Sequence, residues 1–245
     1  MGRNGRRLQS FQQFDVADDL CGMKVGTDAL ILGCWAGEDI EGLTRILDIG
    51  TGSGILALML AQRHEQAVVE AVELEPDAAQ QAAQNVAASP FSNRISVHAM
   101  SIQAWSGTDV DLVVCNPPFF HNHPKSPERK RNLARHDDTL PLRVLFSEAW
   151  RVTHEAGVFQ FVFPTERADE VMSSAQKEGW AFMQRVSLAW SDEHDPIRDL
   201  WTWSKAVPLA VKANSELKLM QDADRETWSP WLQLRLSSFL KEPGG

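Results

Sequence analysis

The stretch TRILDIGTGSGILALMLAQRH, residues 44–64, decides the fold, because an apolar run meets a glycine-rich turn and then a second apolar run. Its first part, through Gly50, predicts a buried β-strand, and its last ten residues predict the helix that follows. Gly50, Gly52 and Gly54 lack a Cβ, so the backbone can turn tightly and approach a ligand. The turn alone does not distinguish a dinucleotide site from another ligand site or from a purely structural turn.

Apolar runs alternate with amphipathic stretches along most of the chain, as expected when helices cross over between parallel strands. Further strands are predicted at 67–75, 94–100, 109–118, 157–164, 180–191, 199–207 and 215–221. Further helices are predicted at 76–88, 142–153, 166–179 and 231–240. This order predicts an α/β fold, a doubly wound sheet with an antiparallel last strand and helices on both faces.

Composition and charge bound the class of protein. The chain has 245 residues, of which 43% are hydrophobic and 23% charged, as in an ordinary globular domain. The chain contains no uninterrupted apolar run of the roughly eighteen residues that a membrane span needs. The basic N-terminus lacks the apolar block of a secretory signal. We therefore expect one domain over residues 1–245, located in the cytoplasm and without a membrane segment.

Three cysteines, Cys21, Cys34 and Cys115, form neither a CxxC pair nor a cluster with histidines at zinc-ligand spacing. A disulfide framework would also leave one of them unpaired. We predict buried, reduced thiols and no metal site.

Acidic residues around the glycine turn favour S-adenosylmethionine as the ligand. Asp48 stands just ahead of the glycines, where a carboxylate attracts the ammonium of this cofactor but would repel a pyrophosphate. Glu73 closes the next strand, about twenty residues beyond the turn, where a carboxylate can accept both ribose hydroxyls. Glu75 competes for that role, although Pro76 places it in the next helix. Gly50, Thr51, Gly52 and Gly54 complete the predicted cofactor loop.

The tetrapeptide Asn116-Pro117-Pro118-Phe119 ends the fourth strand and is the most specific signal in the sequence. An exocyclic amine on a base is a poor nucleophile, because its lone pair is delocalised into the ring. The side-chain oxygen of Asn116 and the carbonyl of Pro117 can hold its two N–H bonds and localise that lone pair. Phe119 can stack on a base taken out of its stack. We predict these four residues to be catalytic, with Asn116 also beside the cofactor.

Five segments together resemble a known family: FQQFDV with CGMKVGTDALILGCWA, ILDIGTGSGILALMLAQR, AVELEPDAAQQAAQN, DLVVCNPPFF and ARHDDTLPL. They are similar to the tRNA adenine-N6 methyltransferases that modify the adenine beside the anticodon of a valine tRNA. The resemblance covers nearly the whole chain and implies a Rossmann-like class I methyltransferase fold with a seven-stranded sheet. It also implies S-adenosylmethionine as methyl donor and residues 116–119 as the catalytic tetrad.

The resemblance has further implications for the edges of the site. Many such enzymes place an aspartate after the third strand to hold the adenine of the cofactor, whereas this chain has Ser101. By resemblance, the segment with Lys24 and Thr27 closes over the methionine end of the cofactor. The same segment reads as a helix capped by Thr27 or Asp28. We divide the chain into a covering segment (1–43), a catalytic core (44–210) and a C-terminal extension (211–245).

A basic segment follows the tetrad and is the candidate contact for a tRNA substrate. It contains one acid, Glu128, and five basic residues: Lys125, Arg129, Lys130, Arg131 and Arg135. Such a patch can attract phosphate although the whole chain carries a net charge of −9. The alternative contact is the N-terminal set Arg3, Arg6 and Arg7. No obligate protein partner is evident.

Three other functions use parts of the same pattern. A guanine-N2 methyltransferase acting on ribosomal RNA would use the same tetrad with a different pocket. A catalytically silent module that binds the cofactor and RNA would have no chemical need for the tetrad. A protein glutamine methyltransferase would not need the basic segment. The exact tRNA and the modified position do not follow from the motifs.

Overall fold

The computed structural model describes residues 8–118, 140–207, 210–221 and 227–241. The strands in these ranges are β1 Leu8–Ser10, β2 Asp15–Ala17, β3 Arg45–Ile49, β4 Val68–Glu73, β5 Ile95–Ala99, β6 Val110–Cys115, β7 Thr153–Pro164, β8 Ala181–Ala189, β9 Arg198–Ser204 and β10 Ser215–Lys218. The helices are α1 Thr27–Trp35, α2 Ile55–Arg63, α3 Pro76–Ala87, α4 Leu142–Val152, α5 Ala168–Lys177 and α6 Pro230–Leu236.

Eight strands form the main sheet in the order β10-β8-β9-β7-β6-β3-β4-β5. Strands β3 to β7 run parallel, and β9 is antiparallel to both of its neighbours, β7 and β8. The predicted α/β class and the antiparallel last strand of the seven-stranded core, β3 to β9, are therefore confirmed. The sheet has one strand more than seven, because the short run at Ser215–Lys218 pairs in parallel with the edge strand β8.

Helices cover both faces of the sheet. Consecutive residues of a strand point to opposite faces, so each central strand packs against helices on both sides. In β6, Leu112 and Val114 pack in the cluster that includes α1, α2 and α6, whereas Val113 and Cys115 pack in the cluster of α4 and α5. All four side chains are almost fully buried. A strand buried on both sides has no polar alternation, which explains the continuous apolar runs in the sequence.

The N-terminal hairpin of β1 and β2 was not predicted from the sequence. Its strands have three residues each and, within the part of the chain that the structure describes, pair with one another and not with the main sheet. The buried Phe11 forms a bridge with Leu240, and the Gln12 N–H donates to the Phe239 carbonyl. The two ends of the chain therefore contact each other. The division at residues 43 and 210 stays a prediction.

The predicted cap of α1 was wrong. Gly26 is the N-cap residue, Thr27 is the first helical residue, and no side chain caps the helix. Asp28 instead forms an ion pair with Arg198 at the start of β9, with 3.0 Å between Oδ2 and Nε. The sequence predicted that Asp28 could cap the helix, whereas in the structure its carboxylate forms a tertiary ion pair. The buried, free state predicted for the three cysteines is confirmed.

Candidate active site at the carboxyl edge of the sheet

The register of the parallel strands brings three predicted site residues to one edge. Ile49 at the end of β3 is level with Val72 of β4 and with Cys115 of β6. The next residues along these strands are Gly50, Glu73 and Asn116. The glycine loop therefore lies between the acid predicted to hold the ribose and the amide predicted to hold the target base.

The glycine loop adopts a backbone conformation that needs glycine. Gly50, Gly52 and Gly54 have φ angles of +71°, +56° and +82°. A Cβ on Gly50 or Gly52 would meet no atom within 4 Å, so backbone conformation, and not packing, requires glycine there. The loop is anchored at its start, where the N–H groups of Gly50 and Thr51 donate to the Val72 carbonyl at 2.8 and 3.1 Å.

Glu73 is tied directly to this loop. The Gly52 N–H donates to its Oε2 at 2.8 Å, and the Glu75 N–H donates to its Oε1 at 2.9 Å. Glu73 is the last residue of β4, whereas Glu75 is the N-cap residue of α3. The structure thus places Glu73, and not Glu75, against the loop. Each oxygen of a carboxylate has two acceptor sites, so both can still accept from a ligand.

Asp48 is fully buried at the end of β3. Its Oδ2 accepts a hydrogen bond from the Thr51 hydroxyl at 2.5 Å, and its Oδ1 is buried without a hydrogen-bond partner among the described residues. Burial raises the pKa of Asp48 from its ordinary 3.8 to about 7, and the charge of Glu73 adds to the rise. Asp48 therefore changes charge near neutral pH.

Ser101 lies two residues beyond β5, at the same edge. Its carbonyl accepts from the N–H groups of Ala104 and Trp105, and its hydroxyl accepts from Ala104 at 3.3 Å. Ser101 therefore begins a turn after β5. The register partner of Glu73 is Ala99, so this turn lies beside the strand end that carries Glu73.

Asn116 follows the last residue of β6 and is half-buried. Its Oδ1 is buried and has no hydrogen-bond partner among the described residues. An unpaired buried acceptor is costly and uncommon in a folded protein, and such atoms are concentrated where a ligand completes the pairing. Pro117 is buried and Pro118 half-buried. Phe119 lies outside the described residues.

The N-terminal segment reaches the same edge. Lys24 donates from Nζ to the carbonyls of Asp18, Cys21 and Asp19 at 2.6, 3.2 and 3.3 Å. Its three N–H bonds are thus matched by three acceptors of its own loop. Thr27 is half-buried at the start of α1. Burial and the charges of Asp18 and Glu73 raise the pKa of the Cys21 thiol to about 11.

One polar residue at this edge was missed in the sequence. Asn85 of α3 is buried and hydrogen bonds to both the N-terminal segment and the glycine loop. The available signal was a polar residue on the apolar side of an amphipathic helix, among the buried residues Ala78, Ala82 and Val86. Such a position predicts a buried hydrogen bond but not its partner.

The predicted RNA contacts Lys125, Arg129, Lys130, Arg131 and Arg135 lie outside the described residues. Within the described ranges, no group of three histidine, cysteine, aspartate or glutamate residues could hold a metal ion. Nor does any helix in these ranges have the length and apolar character to cross a membrane.

The residues at the edge fit S-adenosylmethionine. The Asp48 carboxylate can hold an ammonium directly or through water, Glu73 can accept from ribose hydroxyls, and the space in front of Gly50 and Gly52 is open. The fold and this edge together define a class I methyltransferase that uses S-adenosylmethionine.

The solved structures agree on the fold. A predicted O-methyltransferase from Agrobacterium tumefaciens superposes with a TM-score of 0.64 at 18% identity, covering 88% of this chain and 100% of its own.

A second structure, described as a class I S-adenosylmethionine-dependent methyltransferase of Listeria monocytogenes, has a TM-score of 0.54 at 13% identity and covers 77% of this chain and 62% of its own. The methyltransferase small domain family model matches residues 26–137. A tRNA1(Val) (adenine(37)-N6)-methyltransferase of Citrobacter koseri is 41% identical over 199 residues, 80% of each chain. One of Salmonella typhi is 38% identical over 235 residues, 94% of each chain. The chain belongs to the tRNA1(Val) (adenine(37)-N6)-methyltransferase family.

Proposed function

We propose that this protein transfers the methyl group of S-adenosylmethionine to N6 of adenine 37 in a valine tRNA, as the names of its relatives state for them. One observation supports the chemistry most directly. The buried, unpaired Oδ1 of Asn116 lies beside a glycine loop of the cofactor-binding type, at the register described above. An acceptor left open next to a methyl-donor site suits an amine substrate.

The chain contributes mainly to positioning. Asn116 Oδ1 accepts one N–H of the target amine and the Pro117 carbonyl accepts the other, which favours tetrahedral geometry at nitrogen. Pro117 has a fixed φ, which stiffens the backbone that carries its carbonyl. It also has no backbone N–H to donate, so it presents only an acceptor. Phe119 stacks on the adenine face. The bound cofactor supplies a methyl group activated by a positively charged sulfur, so positioning and exclusion of water are the main requirements.

The cofactor residues divide by the part of the ligand that they hold. Asp48 meets the ammonium and Glu73 the ribose hydroxyls, while Ser101 lies on the adenine side. Gly50, Thr51, Gly52 and Gly54 supply the close backbone approach. Lys24 acts through the loop that it ties together, and this loop with Thr27 covers the methionine end. We also propose a cytoplasmic enzyme that needs no metal and no obligate protein partner.

The tRNA contact is proposed at Lys125, Arg129, Lys130, Arg131 and Arg135. Four or five phosphate contacts imply a log–log slope of tRNA affinity against salt of about −3 to −4. Neutralising Arg129, Lys130 and Arg131 together should flatten the slope by about two to three units and weaken all RNAs alike. Cofactor affinity should stay unchanged. An unchanged slope would move the contact elsewhere, and Arg3, Arg6 and Arg7 would be neutralised next.

One assay tests the proposed reaction. The purified protein is incubated with labelled S-adenosylmethionine and either total tRNA or ribosomal RNA, and the nucleosides of the product are separated. We expect N6-methyladenosine from tRNA, and a tRNA with guanine at position 37 should be inert. N2-methylguanosine from ribosomal RNA would instead establish the guanine reaction. Tight cofactor binding without any methylated product would establish a silent binding module.

A further inference from the structure

The segment from Ala17 to Val25, here called the strap, is held at its start by one buried side chain. The Ala17 N–H donates to Asn85 Oδ1 at 3.0 Å, and Asn85 Nδ2 donates back to the Ala17 carbonyl at 2.7 Å. Asn85 is only 5% exposed. Its amide thus pairs with one residue of the strap as a neighbouring β-strand would, although it projects from a helix.

The same amide also holds the glycine loop. The second N–H of Asn85 Nδ2 donates to the Ser53 carbonyl at 2.8 Å. One turn earlier in α3, Ala82 lies 3.4 Å from where a Cβ on Gly54 would be, so this face of α3 packs directly on the loop. Asn85 therefore connects the strap to the cofactor loop through three hydrogen bonds.

Further hydrogen bonds within the strap close it into a loop, and Gln9 of β1 donates to Asp18 Oδ2 from outside at 3.4 Å. Asp18, which is fully buried, accepts from the Val25 N–H through Oδ2 at 3.0 Å, and Lys24 holds three carbonyls as described above. A longer contact also joins the strap to α3, because the Leu20 N–H donates to Gln81 Oε1 at 3.4 Å. The strap is thus a loop closed by its own hydrogen bonds and joined to α3 by the two short bonds of Asn85 to Ala17.

We infer that Asn85 is a positioning residue that holds the strap against the glycine loop and thereby sets the affinity for S-adenosylmethionine. The inference rests on the proposed function, because it takes the glycine loop as the cofactor site. Asn85 does not touch the reacting atoms. An amide is required, since only a group with one acceptor and two donors satisfies all three backbone partners.

The test compares Asn85→Asp with wild type. Aspartate keeps the shape and the acceptor for the Ala17 N–H but loses both donors, and it places a negative charge beside two carbonyls. We expect the KM for S-adenosylmethionine to rise at least tenfold, while kcat at saturating cofactor stays within about threefold. The amides of Ala17 and Val25 should exchange hydrogen at least tenfold faster, with the amides of β3 unchanged.

Ser89→Ala is the matched control. Ser89 is a buried polar residue just beyond the end of α3 whose hydroxyl donates to the Val86 carbonyl and accepts from the Phe91 N–H, but touches neither strap nor loop. Its loss should lower the melting temperature and leave the KM for the cofactor unchanged. An equal rise of KM in both variants at matched melting temperature would overturn the inference, as would a wild-type KM in Asn85→Asp.

A second measurement needs no variant and covers the case in which Asn85→Asp does not fold. In the wild-type protein, saturating S-adenosylmethionine should slow hydrogen exchange at Ala17 and Val25 as well as in the glycine loop. Protection of the loop without protection of the strap would overturn the inference while leaving the cofactor site intact. Absence of any cofactor binding by the wild type would instead refute the proposed function.

Discussion

The cofactor end and the substrate end of the sheet edge are built differently. At the cofactor end, Glu73 accepts from Gly52, Asp48 Oδ2 accepts from Thr51 and Asn85 donates to Ser53, although Asp48 Oδ1 has no hydrogen-bond partner among the described residues. At the substrate end, the Asn116 Oδ1 has no partner within the described residues. The loop of the cofactor end is thus held mainly by its own hydrogen bonds, whereas we propose that a substrate amine supplies the partner of the Asn116 amide. Mutations at the two ends should therefore separate cofactor affinity from turnover.

Asn116→Ala should produce the largest effect. Removing one positioned acceptor should lower the single-turnover rate by about a hundredfold or more, by analogy with the loss of an oxyanion-hole donor. Binding of S-adenosylmethionine, measured by calorimetry on the same preparation, should change little. Asn93→Ala, which removes an exposed amide in the turn before β5, serves as control. A rate within a few-fold of wild type would assign the tetrad a structural role.

Glu73→Gln should instead weaken cofactor binding and preserve turnover. A hydrogen bond to a charged group contributes about 1.5–3 kcal/mol, so the dissociation constant for the cofactor should rise roughly 10- to 100-fold. The glutamine oxygen can still accept from the Gly52 N–H, and kcat at saturating cofactor should be preserved. Glu75→Gln, at the exposed N-cap of α3, should bind as wild type. Equal losses in the two variants would contradict the assignment of the ribose contact to Glu73.

Phe119 sharpens the substrate side of the comparison. Phe119→Ala should lose roughly 1–3 kcal/mol of base binding, because it removes the ring that we propose to stack on the base. Phe119→Tyr keeps the ring and should retain most activity. The measurement is the tRNA concentration that gives half of the maximal single-turnover rate at saturating cofactor. Equal losses in both variants would point to a packing role for the ring.

The pKa of Asp48 makes cofactor affinity depend on pH. Because the pKa is about 7 in the free protein, the carboxylate is ionised at pH 8 and mostly neutral at pH 6. The ammonium of the cofactor prefers the ionised form, so affinity should fall as pH decreases below 7, by up to about tenfold per unit. Asp48→Asn should bind weakly with a flat pH profile. Titration calorimetry between pH 6 and 8 decides the question.

When ionised, Asp48 should favour cofactor binding but lower the stability of the folded state. Its pKa rises on folding from 3.8 to about 7, so the folded state binds its proton more tightly and ionisation costs stability as pH rises through this window. Asp48→Asn should therefore melt at a higher temperature than wild type at pH 8, and the difference should shrink toward pH 5. An unchanged melting temperature at pH 8 would show that burial does not destabilise the ionised carboxylate.

Several features of this protein were determined by the sequence alone. Continuous apolar runs such as residues 110–115 predicted the buried strands, and the three glycines predicted the tight turn after β3. The positions of Asp48, Glu73 and Asn116 at the ends of strands predicted that they lie at one edge of the sheet, because parallel strands bring their carboxyl ends together. In each case the physical cause is local: side-chain periodicity, the conformational freedom of glycine, or the end of a strand.

Other features were decided only by the tertiary structure, because their partners are far apart in the sequence. Asp28 pairs with Arg198, and the extra strand Ser215–Lys218 adds to an edge that exists only after β8 has formed. Asn85 shows the same principle, since its amide bonds to a residue 68 positions earlier. The unpaired oxygen of Asn116 also belongs here, because burial and lack of a partner depend on every element packed around the edge.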